Sequence, residues 1–454
     1  MTATYSSMTL RRAALRYPAA LQTLRSLPCG GARIGIRFMQ TPSAQAPAAE
    51  AQQASGESVI RRWPWAAALA AAAGGVGAAV CCEDKSKSTG VVRCGAWRQV
   101  EDLTAAESSK STTGRVVLVT GAAGFIGYHC ALALKSRGDG VIGVDNYCAY
   151  YPTSLKRKRA EHLMSEGIYT FEADINERNF LNHILSEYKV THILALAAQA
   201  GVRYAAKDPA SYVASNVSGF VQLLEAARSC NPMPRIVYAS SSSVYGLNTK
   251  SPFAETDKVD HPASLYAATK KANEMMAHTY THIYGLSMIG LRFFTVYGPW
   301  GRPDMAAFSF AQKISNGEPL KIFQGPGGSE LERDFTYIDD IVAGCLAAVN
   351  AVTPSTKESA QCLVYNLGNK DPVTVTYLVE CLEKSMGKEA IRHYVPMPPT
   401  GDVLKTSADT SLAEKELGYM PTTPLHVGID RFIEWYVDYF KDGIEKDMKD
   451  YVPY

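Results

Sequence analysis

The chain has 454 residues, more than one average domain needs, and its 46% hydrophobic and 20% charged content is that of a soluble globular protein with a sizeable core. A net charge of +2 gives no support for nucleic-acid binding, and the basic excess belongs to the N-terminus, where residues 1–49 hold six arginines and no Asp or Glu. Ten cysteines without a C-x-x-C pair or a histidine cluster at ligand spacing indicate neither a metal site nor a disulfide framework.

In chain order, residues 1–60 read as a basic targeting or tail segment. Leu10 to Leu27 can form an amphipathic helix carrying Arg11, Arg12, Arg16 and Arg25, which resembles an organellar presequence and points to a mitochondrion or plastid. Trp63 to Cys82 is a run of twenty uncharged residues, with Arg61 and Arg62 before it and Glu83 and Asp84 after it. That is long enough to cross a bilayer, so 61–82 is read as a single membrane span, with a spacer or a buried helix as alternatives. Residues 83–113, rich in Ser, Lys and Thr, read as a flexible tether.

Arg115 to Asp145, RVVLVTGAAGFIGYHCALALKSRGDGVIGVD, reads as a strand, a glycine turn, a helix and a second strand. Gly121, Gly124 and Gly127, with Phe125 and Ile126 between the last two, sit where the strand must turn sharply and admit a pyrophosphate against bare backbone. Asp145 closes the second strand eighteen residues after Gly127, where a carboxylate accepts both ribose hydroxyls of NAD and repels the 2′-phosphate of NADP. NAD is the expected cofactor. Strand and helix patterns then alternate, with strands at Tyr169–Glu172, Thr191–Leu196, Arg235–Ala239 and Ser287–Phe294 and helices at Ala206–Ala227 and Ser264–Tyr284. The predicted fold class is α/β: a Rossmann-like, doubly wound parallel sheet, mainly 114–297, with a smaller C-terminal substrate lobe, mainly 298–450. The lobe should contain helices Ile338–Asn350, Val375–Met386 and Leu425–Phe440.

Tyr266 and Lys270 are four apart in SLYAATKKANE and share one helix face, where an ammonium favours the phenolate of a tyrosine base. Ser240 to Ser243 follow a strand, at the end of a doubly wound sheet where ligands bind. Taken in order, TGAAGFIG, LAAQAGVRY, YASSSSVYG, YAATKKANE, RFFTVYGPWGRPDM and RDFTYIDDI resemble the extended short-chain dehydrogenase/reductase family and, within it, the UDP-glucuronate 4-epimerases. The likeness covers roughly 114–440.

The resemblance implies Tyr266 as base, Lys270 as its electrostatic partner and nicotinamide-ribose contact, and Ser241 as the hydroxyl bonded to the sugar's 4-oxygen, with Ser242 also facing substrate. It implies Asp174 and Ile175 at the adenine, Thr295 and Arg302 on the glucuronate carboxylate, Arg333 on the diphosphate, and Asn216 behind the site. PPTGDV lacks the basic residue the family usually carries just before Gly-Asp-Val, which leaves a second uridine-side contact open. The reaction implied is oxidation of a UDP-sugar at C4, rotation of the 4-keto sugar and re-reduction. The 4-keto uronate is prone to lose carbon dioxide, so its carboxylate must be restrained, which suits Arg302 and Thr295. Dehydratases and decarboxylases of the superfamily carry a carboxyl side chain after the catalytic hydroxyl where this chain has Ser242 and Ser243. UDP-glucose 4-epimerase and a non-catalytic NAD-binding subunit are the alternatives. A homodimer and a Golgi location are further expectations from the resemblance.

Overall fold

The computed structural model describes residues 95–398, 402–441, 446–449 and 451. The chain divides into two units, 1–107 and 108–454. Of the first, only helix α1, Gly95–Ser108, is described; it falls within the stretch read as a tether, and its Ala, Glu, Gln and Leu content favours helix. Residues 1–60 and 61–82, read as targeting segment and span, lie outside the described residues. The organelle placements, Golgi from the resemblance and mitochondrion or plastid from the N-terminal arginines, do not stand: among the described residues no helix is long and apolar enough to cross a membrane. The run at 63–82 is mostly alanine and glycine, whose transfer into hydrocarbon gains little.

The second unit is built on a seven-stranded sheet. Its strands are β1 (Val116–Thr120), β2 (Gly140–Asp145), β3 (Tyr169–Glu172), β4 (His192–Ala195), β5 (Arg235–Ser241), β6 (Met288–Phe293) and β11 (Cys362–Leu367). They lie in the order β11-β6-β5-β4-β1-β2-β3, and every pairing is parallel. All six residues of β2 and of β6 are buried, as strands covered by helices on both faces of a sheet should be, with Asp145 and Arg292 the charged exceptions in otherwise apolar runs. The winding reverses between β1 and β4, so the crevice for ligands opens beyond the carboxyl ends of those two strands.

Helices α2 (Phe125–Ser136) and α3 (Thr153–Ser165) pack on β1, β2 and β3, α4 (Arg178–Glu187) and α5 (Gly219–Arg228) pack on each other, and α6 (Leu265–Tyr284) packs on β5, β6 and β11. The single helix predicted over 206–227 is broken. A 3₁₀ turn at Tyr204–Ala206 stops, Asp208 caps a new start at Pro209 by accepting from Ser211 N at 3.2 Å, and Val213–Ser218 widens into a π-helical turn before α5.

Beyond β6 three short ladders form: β7 (Thr295–Tyr297) with β10 (Phe335–Tyr337), β8 (Leu320–Gln324) with β13 (Arg392–Pro396), and β9 (Glu332–Arg333) with β12 (Val373–Thr374). The helices here are α7 (Ala306–Asn316), α8 (Ile338–Ala351), α9 (Val375–Met386), α10 (Ser411–Leu417) and α11 (Leu425–Phe440). The chain does not leave the sheet for good, because β11 returns to pair with β6 and α8 packs on α2. One apolar core, from Val117 through Phe308 to Tyr436, therefore runs under both parts.

Candidate active site

Gly121 follows β1 at φ +71°, the left-handed conformation that glycine adopts without strain, and its N–H donates to Val144 O at 2.7 Å. A Cβ on Gly127 would stand 2.1 Å from Gly121 O and one on Gly124 2.8 Å from it, so nothing larger than glycine keeps this turn. No side chain caps α2 at Gly124, which leaves the first helical N–H groups of Phe125 and Ile126 to a ligand. Asp145 ends β2 beside them, accepting from Ala123 N at 3.1 Å and Tyr147 N at 2.8 Å, with Lys156 Nζ 3.8 Å away. Asp174 and Ile175 follow β3 on the same rim. Burial pushes the Asp174 carboxyl up, but hydrogen bonds from Asn176 and Asn146 outweigh it and hold the group below its ordinary value. These groups fit a dinucleotide: bare backbone for the pyrophosphate, an anion for the ribose and a polar rim for the base.

The turn opens into one cleft of about 840 Å³ whose walls carry every residue assigned to cofactor or substrate, from Gly121 to Arg333. Ser264 caps α6 by accepting from Ala267 N at 3.1 Å, which sets Tyr266 in the first turn and Lys270 one turn on, both facing the cleft. Lys270 is 3% exposed, donates to Ala239 O at 2.9 Å, and is pushed down to about 8 by burial. Burial raises the Tyr266 phenol above its ordinary value, and the nearby Ser241 hydroxyl and the charge of Arg302 pull against it without overcoming it. Ser241 and Arg302 temper that cost from other elements, beside the Lys270 that the helical spacing puts on the same helix face.

Ser241 closes β5, and its hydroxyl accepts from Ser243 N at 3.2 Å; Ser242 follows it on the cleft wall. A buried pair fixes this strand end. Arg292 binds Glu274 through Nε at 2.8 Å and Nη2 at 2.9 Å, and Ser240 Oγ donates to the same carboxylate at 2.8 Å. Asn216 is buried and does not line the cleft. It clamps Gln199 through both backbone groups at 2.9 Å and donates to Thr269 at 3.0 Å, so the π-helical turn ties the β4 loop to α6.

On the substrate side Thr295 opens β7, and Arg302 leaves the loop after it. Arg302 is largely buried and already paired, with Nε 3.0 Å and Nη2 2.5 Å from the Asp304 carboxylate. Arg333 on β9 donates to Glu332 O at 2.9 Å and Leu404 O at 3.2 Å. Burial and the neighbouring Arg203 push it down, against Asp402. Arg203 is a cation the motif reading passed over although it stands in the quoted LAAQAGVRY; its Nε and Nη2 reach Asp402 at 3.1 and 3.0 Å. It puts a second guanidinium near Arg333 from the far wall. Tyr150 and Asp304, also missed, are joined at 2.9 Å. Asp304 was signalled by its place in GRPDM.

Residues 117–368 match the NAD dependent epimerase/dehydratase family. The chain is 55% identical over 348 residues to UDP-glucuronate 4-epimerase 6 of Arabidopsis thaliana, 75% of each chain being covered. Its fold superposes with a TM-score of 0.64 and 34% identity on the crystal structure of UDP-glucuronic acid 4-epimerase from Bacillus cereus in complex with UDP-glucuronic acid and NAD, over 71% of this chain and 99% of that one. UDP-glucose 4-epimerase from Thermotoga maritima, solved with UDP-glucose, follows at TM-score 0.62 and 30% identity, over 71% and 99%. With its parallel sheet, its glycine turn and more than half its length matched, the chain belongs to the NAD dependent epimerase/dehydratase family.

Proposed function

We propose that the protein interconverts UDP-glucuronate and UDP-galacturonate with a resident NAD. Residues 114–297 mainly hold the cofactor and 298–450 mainly the substrate. The observation that carries this reading is the meeting, on the walls of one cleft, of Tyr266, Ser241 and the Arg302 guanidinium. A tyrosine base and a guanidinium acting on the same small volume suit a sugar whose reacting hydroxyl lies next to the carbon bearing a carboxylate.

The Gly121, Gly124 and Gly127 turn and the free N–H groups of Phe125 and Ile126 cradle the pyrophosphate, Asp145 accepts the ribose hydroxyls, and Asp174 and Ile175 flank the adenine. NAD, when bound, takes up the hydride from C4 of the sugar and gives it back. Tyr266 receives the 4-hydroxyl proton, Ser241 steadies the 4-oxygen, and Lys270, locked on Ala239 O, holds the nicotinamide ribose. Arg302 and Thr295 face the carboxylate, Ser242 lines the sugar pocket, and Arg333 with Arg203 faces the diphosphate. The oxidised sugar turns about its link to the diphosphate and is reduced on its other face. The chain is further proposed to work as a homodimer, for which exposed Val213, Met275 and Ile283 on adjoining helices supply an apolar face.

Incubating the NAD-loaded protein separately with UDP-glucuronate, UDP-glucose and UDP-xylose and resolving the products tests the reading. Conversion of UDP-glucose alone would favour the neutral-sugar epimerase, and no conversion of any would favour a non-catalytic member of the family.

A further inference from the structure

The pairing of Arg302 bears on how the sugar turns. Its Nε and Nη2 edge is occupied by Asp304, and Nη2 also reaches Ala200 O at 3.3 Å. Asp304 is held in turn by Tyr150, whose hydroxyl donates to Oδ2 at 2.9 Å and whose ring lies 5.4 Å from the guanidinium. A guanidinium this deep is costly without a counter-ion, so a carboxylate must face it at every stage of the cycle.

Under the reading above, on which this inference rests, the sugar carboxylate faces Arg302 in the pose for oxidation. To present its other face with C4 still beside Tyr266, the ring turns about the line through C1 and C4. C5 and its carboxylate then cross to the opposite side, away from Arg302. We propose that Asp304 is the positioning residue that makes this release reversible. It competes with the sugar carboxylate for Arg302, weakens the hold in the first pose, and keeps the guanidinium paired while the sugar turns. One cation shared by two carboxylates holds each less firmly than it would hold either alone. Tyr150 sets the balance, because each hydrogen bond it gives Asp304 draws charge away from Arg302.

The test uses the full chain loaded with NAD, as wild type, Asp304→Asn and, separately, Tyr150→Phe. KM and kcat are measured on UDP-glucuronate, and affinity is measured for UDP, which lacks the sugar. Asp304→Asn keeps the shape but loses the charge, and with one accepting oxygen in place of two it gives up at least one of the bonds from Arg302. The sugar should then bind more tightly and turn more slowly, so KM and kcat fall together, each by roughly tenfold, with UDP affinity unchanged. Tyr150→Phe returns charge to Arg302 and should raise KM about two- to fivefold. A KM that rises or stays level in Asp304→Asn overturns the proposal, as does a matching loss of UDP affinity, which would make Asp304 a residue of the fold. If Asp304→Asn does not fold, Tyr150→Phe decides, and an unchanged or lowered KM counts against. Failure of the wild type to convert UDP-glucuronate would remove the functional reading and this proposal with it, whereas normal wild-type turnover with unshifted variants overturns the proposal alone.

Discussion

Replacing Arg302 by Ala separates a carboxylate contact from every other duty of the residue. The change removes a charge-assisted bond worth about 1.5–3 kcal/mol, or roughly one to two powers of ten in affinity for UDP-glucuronate. It also strands the Asp304 carboxylate, which is tied to Arg302 at 3.0 and 2.5 Å in the intact protein and then repels the incoming sugar acid, so the loss belongs at the upper end. UDP-glucose carries a neutral hydroxymethyl group there, and its affinity should hardly move. Turnover is a poorer gauge, because Arg302 also favours the Tyr266 phenolate and its loss slows the chemistry on any sugar. Calorimetric binding of both UDP-sugars to NAD-loaded protein reads the difference directly. Released carbon dioxide adds a second readout, since an unpinned keto acid should lose it more often. Equal affinity losses for the two sugars would refute the assignment and make Arg302 a contact of the UDP or of the fold.

Tyr266→Phe should abolish turnover with NAD content unchanged, because the ring still packs but accepts no proton; retained turnover counts against Tyr266 as base. Gly127→Ala drives a methyl to 2.1 Å from Gly121 O and should cost NAD retention and thermal stability together, read by cofactor content and melting temperature. Burial lowers the Lys270 ammonium to about 8 in the folded protein, below its ordinary value. The unfolded chain therefore binds the extra proton above that pH, and the NAD-free protein should gain stability as pH rises from about 8 toward 10.5. Lys270→Met should remove that dependence, raise stability at pH 7 by up to about 3 kcal/mol, and destroy activity; a melting curve with unaltered pH dependence would refute it.

The dinucleotide half of the site was legible in the sequence because its logic is local. Strand, glycine turn, helix and Asp145 follow one another within 31 residues, and each step constrains the next. The same holds for Ser264, Tyr266 and Lys270 on one helix. What escaped depends on partners far apart in the chain. Cys362–Leu367 does not announce itself as a sheet strand, because its first half is not fully buried at the sheet edge and it returns from the second lobe. The break at 204–218 was signalled by Pro209, but the π-helical turn exists to carry Asn216 to Gln199, a tertiary bond. Arg203 and Asp402 meet across 199 positions. The neighbours of Tyr266 show the same contrast: helical spacing alone places Lys270 beside it, while Ser241 from β5 and Arg302 from a later loop reach the same cleft through the fold and were named only through the family motifs.

The most direct measurement of the central claim is the fate of a label on the reacting carbon. UDP-glucuronate deuterated at C4, incubated in ordinary water with the NAD-loaded protein, should yield UDP-galacturonate that keeps its deuterium at C4, because Tyr266 exchanges only the hydroxyl proton and the hydride is returned to the carbon it left. UDP-galacturonate with protium at C4, or no UDP-galacturonate at all, would contradict the account.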